Sequence, residues 1–215
     1  MKGGIPLNKR SRNHGWNKLC RPRGREIIGL IGSHHGVGVT FTGLMLAFYM
    51  GEELGKRTAY LECNSHHDMD LIRCAYDWNN EDEKSFTFHR VTCYSEVTSN
   101  QIANIMNEDY ECMILDFGTA YKNNREELLR CNTKFVVGGR TSWDIQKLLD
   151  FVGEVENLSD ITTWKYLVPM ANEKHVRKLK KELQTEVQAV PFIEEPVVPS
   201  KTINRFWERV FRGDR

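Results

Sequence analysis

The residue types of a phosphate-binding loop occur together in one glycine-rich stretch, Gly32-Ser33-His34-His35-Gly36-Val37-Gly38-Val39-Thr40-Phe41-Thr42. Glycines allow successive backbone N–H groups to point at one anion, and a helix that begins at the end of such a loop adds the positive end of its dipole. The hydroxyl of Thr40 and the carboxylate of Asp116, which ends an apolar run, are oxygen ligands suited to Mg²⁺. These residues predict a site for a phosphate group and its metal ion.

The loop matches only part of the P-loop consensus, G-x-x-x-x-G-K-[ST]. Aligned on Gly38 and Thr40, it keeps Gly36, but Val39 stands where the consensus has lysine. The pattern resembles the loop of the MinD/ParA family of P-loop ATPases, x-K-G-G-x-G-K-[ST], whose earlier lysine crosses the dimer interface. His34 stands at that earlier position. Because phosphoryl transfer is catalysed mainly by electrostatic stabilisation of the transition state, the absence of both lysines predicts little or no ATP hydrolysis.

The same resemblance implies roles for residues elsewhere in the chain. Glu62 and Asn64 stand where the family has two acids near Mg²⁺ and the attacking water, so Glu62 and Asp116 are the candidate catalytic acids. The family's adenine-reading asparagine is displaced here to Asn172, which leaves adenine selection open. The implied ligand is ATP or ADP with Mg²⁺ held at Thr40 and Asp116, and a loop that holds no nucleotide is the alternative. The nucleotide-binding residues implied are Ser33, His34, His35, Gly36, Val37, Gly38, Val39, Thr40, Phe41, Pro191 and Phe192.

A phosphate loop needs a strand before it and a helix after it, and the apolar patterns at 26–31 and 43–50 predict both. Strands and helices then alternate, which predicts βαβ units in an α/β fold: three layers, a doubly wound and mostly parallel sheet, and helices on both faces. Further strands are predicted at 57–64, 111–118, 133–139, 163–168 and 187–192, a strand or hairpin at 86–94, a loop at 77–84, and helices at 71–74, 98–106, 124–131, 142–152 (capped by Ser142), 173–183 and 200–212.

Two other functions fit parts of the pattern. An active ATPase could use His34, or an arginine from another chain, in place of lysine. Alternatively, His34 and His35 follow the first strand while His66 and His67 follow the second, and both pairs would meet at one edge of a parallel sheet. With Asp68 or Asp116, these imidazoles could bind Zn²⁺ or a similar ion.

Charge and hydropathy divide the chain into a tail and a domain. Residues 1–25 hold eight Lys or Arg and no acid, which predicts a disordered tail that could bind nucleic acid, whereas residues 26–215 hold 22 basic and 29 acidic side chains. Residues 26–212 are expected to form one domain. Helix 200–212 is amphipathic and could pack on the sheet or contact a membrane.

Six cysteines without a C-x-x-C pair, together with the lack of a signal peptide or an apolar run of about 18 residues, predict a cytoplasmic protein, in contact with the membrane at most peripherally. By resemblance, it would be a bacterial localisation or assembly module, related for example to pili or secretion. It would form dimers or dock onto a larger assembly.

Overall fold

Eight strands form one sheet in the computed structural model, which describes residues 24–76, 84–158, 160–198 and 200–212. The strand order is β3-β4-β2-β5-β1-β6-β7-β8, and every neighbouring pair is parallel except β3 with β4. The strands are β1 Glu26–Gly32, β2 Thr58–Glu62, β3 Ser85–Phe88, β4 Val91–Tyr94, β5 Cys112–Asp116, β6 Thr133–Val137, β7 Lys165–Pro169 and β8 Val187–Val190. The central strands are buried on both faces, which explains why their sequences are continuously apolar rather than alternating.

The described residues form seven α-helices, which cover both faces of the sheet; six lie between strands and the seventh follows the last strand. They are α1 Val39–Phe48, α2 Asp68–Ala75, α3 Ser99–Ile105, α4 Arg125–Arg130, α5 Ser142–Val155, α6 Glu173–Leu183 and α7 Lys201–Arg212. Apolar residues of α1, α2 and α7 share one core cluster with one face of the sheet, and those of α3, α4, α5 and α6 share a second cluster on the other face. The predicted three-layer, mostly parallel α/β fold is therefore confirmed.

The register of the central strands decides which residues meet at the functional edge. Leu30 of β1 and Glu62 of β2 both lie beside Asp116 of β5. Because these three strands are parallel, their carboxyl ends and the loops that follow them lie at the same edge of the sheet. Ligands bind at this edge in open α/β sheets.

Some local predictions differ from the structure, and the predicted helix at 71–74 is part of a longer helix that begins at Asp68. The helix after the loop begins at Val39 rather than 43, and it continues into a π-helical turn, Tyr49–Glu53. The cap of α5 is Thr141 rather than Ser142, because Thr141 forms a capping box with Asp144, three residues later.

Helix α7 packs on the sheet. Its apolar stripe, Ile203, Phe206, Trp207 and Val210, is buried in the same core cluster as α1. These four side chains are thus buried in the core of the protein itself. None of the described helices combines the length and the apolar character needed to span a bilayer.

Two of the predictions fall on parts of the chain that the structure does not describe. The basic tail at 1–23 lies outside the described residues, as does most of the predicted loop at 77–84. Arg25, expected to belong to the tail, donates hydrogen bonds to the carbonyl groups of Met106, Glu108 and Tyr110 at the end of α3.

Candidate phosphate-binding site

The loop between β1 and α1 has the backbone conformation of an anion cradle. Gly36 and Gly38 have φ angles of 80° and 90°, in the left-handed region that favours glycine. Gly38 is also the N-cap of α1 and offers no side-chain acceptor, so the first N–H groups of the helix have no cap. The backbone N–H of Gly32 donates to the carbonyl of Gly118 at 2.7 Å, and that of Ser33 donates to Val137 at 2.9 Å. The start of the loop is thereby attached to the ends of both neighbouring strands.

The side chain at the consensus lysine position is buried. Val39 and Val37 are buried in the core, and a Cβ atom on Gly32 would lie 2.8 Å and 2.9 Å from their methyl groups. Glycine at position 32 lets both valines pack beneath the loop. A ligand in the cradle could therefore meet Val37 and Val39 only through their backbone.

Thr40 lies between two carboxylates. Its Oγ1 is 2.8 Å from Oδ2 of Asp116 and 3.0 Å from Oδ2 of Asp68, the first residue of α2. The Tyr60 hydroxyl also donates to Oδ2 of Asp116 at 2.6 Å, and the Gly118 N–H donates to Oδ1 at 2.8 Å. Burial raises the pKa of Asp116, although the bonds from Tyr60, Gly118 and Thr40 oppose that shift.

These three oxygen-bearing side chains suit a divalent cation. Thr40 has one hydroxyl hydrogen, which cannot satisfy Asp68 and Asp116 at the same time. Hydroxyl and carboxylate oxygens are the donors that Mg²⁺ prefers. The residues present therefore fit the ion that the sequence implied.

Glu62, the other candidate acid, contacts the start of α2. Its side chain is buried, and Oε1 accepts hydrogen bonds from the backbone N–H groups of Asp68 at 2.7 Å and Met69 at 3.4 Å. Burial raises its pKa, while these backbone bonds lower it. Glu62 thus holds the N-terminus of α2, which presents Asp68 to Thr40. Asn64 donates to the carbonyl of Asp116 at 3.1 Å and also stabilises this edge.

The four histidines do not converge on one centre. His34 Nε2 lies 3.0 Å from Oδ1 of Asp144 on α5, and His67 Nδ1 lies 3.0 Å from Oε1 of Glu96. Only His35 and His66 meet, with ring centroids 5.1 Å apart. In the described part of the chain, no group of three or more His, Cys, Asp or Glu side chains is placed to hold a metal ion.

The residues implied at the nucleotide base lie at the same edge of the sheet. Pro191 and Phe192 directly follow β8, and the Phe192 side chain is 69% exposed. The side chain of Asn172 accepts a hydrogen bond from the His175 N–H at 2.9 Å as the N-cap of α6. The Asn172 side chain therefore caps α6.

Comparison with solved structures identifies the fold. A ParA family ATPase from Chlorobium tepidum TLS superimposes with a TM-score of 0.64 at 10% identity, over 85% of this chain and 96% of that one. The chain has the fold of the ParA and MinD ATPases. A plasmid partition protein of Borrelia burgdorferi B31 bound to AMPPNP gives 0.62 at 10% identity, covering 88% and 97% of the two chains. The MinC:MinD cell division complex of Aquifex aeolicus gives 0.59 at 16%, covering 84% and 86%.

At such identities the similarity shows the fold alone, and the fold implied by the loop is confirmed. No protein-family model matches the chain, and a search of curated proteins finds no match.

Three residues at this edge were missed or only partly found from the sequence. Tyr60 reads as an ordinary apolar strand residue, and nothing in its neighbours signals the bond to Asp116. Asp68 was considered only as a companion of the histidines. Asp144 carried a usable signal, because a Thr three residues before an Asp is a capping-box pattern.

Proposed function

We propose that this chain is a P-loop protein that binds ATP or ADP with Mg²⁺ at residues 33–41 but hydrolyses ATP slowly or not at all. In this proposal, nucleotide binding serves to control where an assembly forms or docks. The observation that carries the proposal is the 2.8 Å contact between Thr40 and Asp116 at the mouth of a loop whose glycines have positive φ.

The loop binds phosphate through its backbone in this proposal. Uncapped N–H groups at the start of α1 and the positive end of the helix favour an anion without any lysine. Thr40, Asp116 and Asp68 would hold Mg²⁺, which when bound neutralises phosphate charge. The Tyr60 and Gly118 bonds fix the Asp116 carboxylate in place.

Slow hydrolysis follows from the positions of the remaining candidates for catalysis. Val39 is packed in the core, and Glu62 accepts backbone bonds from α2. His34 contacts Asp144, and burial lowers its pKa, so it carries no charge at neutral pH. Loss of a single donor aimed at the transition state typically costs about 2.7–4 kcal/mol. Because both lysine positions are changed, ATP turnover would be several orders of magnitude slower than with both lysines present.

The role in localisation rests on the proteins that share the fold. They include a ParA family ATPase, a plasmid partition protein and MinD in complex with MinC. From these proteins we infer only the class of function, namely a module that self-associates or docks onto a partner. Light scattering with and without Mg²⁺-ATP tests self-association through the molar mass of the protein. A monomer mass in both conditions would exclude self-association and leave docking onto a partner.

Calorimetric titration with Mg²⁺-ATP and Mg²⁺-ADP tests nucleotide binding. Wild-type protein should bind, and Thr40→Val should bind at least about tenfold more weakly, because one metal ligand is lost. Thr87→Val is the matched control, since the Thr87 hydroxyl pairs with that of Thr92, at 3.0 Å, on the edge hairpin β3–β4 rather than at the loop. Equal affinity in wild type and Thr40→Val, or no binding by wild type, contradicts the proposal.

Phosphate release measured on the same samples tests the second half of the proposal. Release should stay near the uncatalysed background. Multiple turnovers that vanish in Asp116→Asn would instead identify an active ATPase with an unusual loop.

A further inference from the structure

The start of the phosphate loop is attached to α5 by a chain of side-chain contacts. His34 Nδ1 is 3.0 Å from Oγ of Ser33, and His34 Nε2 is 3.0 Å from Oδ1 of Asp144. Both partners of the second contact are largely buried, with side-chain exposures of 19% and 12%. The histidine at the family's interface-crossing position thus contacts its own chain.

Asp144 is itself fixed from several sides. Its Oδ2 accepts hydrogen bonds from the backbone N–H of Thr141, at 3.0 Å, and from the hydroxyl of the same residue. Lys147 Nζ lies 3.3 Å from Oδ1. A Cβ atom at Gly139 would approach the Asp144 carboxyl group to 2.5 Å, so the chain after β6 closes tightly around it. Asp144 therefore offers His34 a rigid acceptor.

At neutral pH this contact joins an ionised carboxylate to a neutral imidazole. Burial raises the pKa of Asp144, but hydrogen bonds from Thr141 and Lys147 overcome that effect and lower the pKa to about 2, so its carboxylate only accepts. Nε2 of His34 must then carry a hydrogen. Burial and the charge of Lys147 lower the pKa of His34 against the opposing effect of Asp144, which leaves Nδ1 free to accept from Ser33 at neutral pH.

We propose that His34 and Asp144 are positioning residues that hold the phosphate loop in its binding conformation within one chain, so that the site is complete without a cation from a second copy. The ligand part of this inference rests on the proposed function. The positioning part concerns the free protein and stands by itself. His34 also lines a cleft of about 470 Å³ between the loop, residues 119–123 and α5.

Hydrogen–deuterium exchange of the ligand-free protein tests the positioning. His34→Ala should raise the exchange rate of the 34–41 amides about tenfold, while His34→Gln, whose amide nitrogen can reach the place of Nε2, should stay within about twofold of wild type. His67→Asn is the control, because it removes an exposed 3.0 Å His–Glu pair and asparagine tolerates the φ of 59° at that position. Unchanged exchange in His34→Ala overturns the inference.

Nitrogen-15 NMR of the imidazole rings adds a readout that does not depend on any variant. His34 should be the neutral Nε2–H tautomer at pH 7 and should titrate below 6.5, facing Ser33, Asp144 and Lys147. A ring protonated at neutral pH, or the Nδ1–H tautomer, would contradict the contact.

Nucleotide affinity then separates the two proposals. Mg²⁺-ATP should bind monomeric wild type and His34→Gln within about twofold of each other, and His34→Ala about tenfold more weakly. Absence of binding by wild type would refute the proposed function. The exchange and NMR results would still decide the positioning role. Binding that requires a dimer would overturn the self-contained site.

Discussion

Gly43 connects the packing of α1 to the candidate metal site, and replacing it with alanine should disturb both. A Cβ atom at this position would lie 2.9 Å from Cε2 and 3.2 Å from the hydroxyl of Tyr60. Tyr60 is completely buried, and its hydroxyl donates to Asp116 at 2.6 Å. The ring has no solvent to move into, so relief of the contact must shift the hydroxyl away from Asp116.

The expected magnitude combines three effects. Overpacking a buried site costs about 1–3 kcal/mol. Weakening a buried hydrogen bond to a charged group costs up to about 1.5–3 kcal/mol, and replacing glycine by alanine inside a helix returns about 0.5–1 kcal/mol. We expect Gly43→Ala to lower the free energy of unfolding by about 2–4 kcal/mol, a large share of the 5–15 kcal/mol typical of a domain.

Urea unfolding monitored by circular dichroism measures the effect, and two further variants make it specific. Gly153→Ala is the matched control, because Gly153 lies in α5 with no atom within 4 Å of a Cβ, and it should stabilise the protein by about 0.5–1 kcal/mol. In a Tyr60→Phe background, the cost of Gly43→Ala should fall by about 1.5–3 kcal/mol, because the bond to Asp116 is already absent. If Gly43→Ala stabilises the protein as Gly153→Ala does, the placement of Tyr60 against α1 is refuted.

Three further predictions concern charge and exposure at the site. Because the folded-state pKa of Asp116 is raised above 3.8, its ionisation opposes folding. Asp116→Asn should therefore gain stability relative to wild type as pH rises above that value, and a constant difference in urea midpoint across pH would contradict this. Val39→Lys should destabilise the protein by about 1–3 kcal/mol in the same assay, since the position is in the core, without raising phosphate release; a tenfold rise would show that the side chain can reach the ligand. Phe192→Ala should change stability by less than about 0.5 kcal/mol, yet weaken calorimetric binding of ATP two- to tenfold while leaving that of inorganic triphosphate unchanged. Equal loss for both ligands would place Phe192 away from the base.

Most of the architecture could be predicted because it depends on local patterns. Continuous apolar runs mark the buried parallel strands, and the position of Gly36 and Gly38 between a strand and a helix marks the loop. The order of the elements then restricts the sheet topology. The amphipathic pattern of 200–212 was compatible with two surroundings, and only the three-dimensional arrangement of the sheet determined which one it has.

The site was less predictable, because it depends on distances between residues far apart in the chain. Glu62 was a candidate catalytic acid because it stands where the resembling family has an acid, but α2 begins six residues later and directs its N–H groups at that carboxylate. A helix start near an acid competes for its lone pairs, and sequence spacing does not show this. Similarly, His34 and His35 are adjacent in sequence but turn in different directions, towards Asp144 and towards His66.

The changes at the two lysine positions have a common physical consequence. Val39 adds to the core beneath the loop, and His34 contacts Asp144 of α5, so each residue that stands in place of a lysine makes an interaction within the chain. At the same time, Asp68 brings a second carboxylate to the hydroxyl of Thr40. A phosphate approaching this edge therefore meets oriented N–H groups and acidic side chains, with no lysine in the loop to offset the acids. In the proposed function, Mg²⁺ held by these acids would supply positive charge that the loop itself lacks.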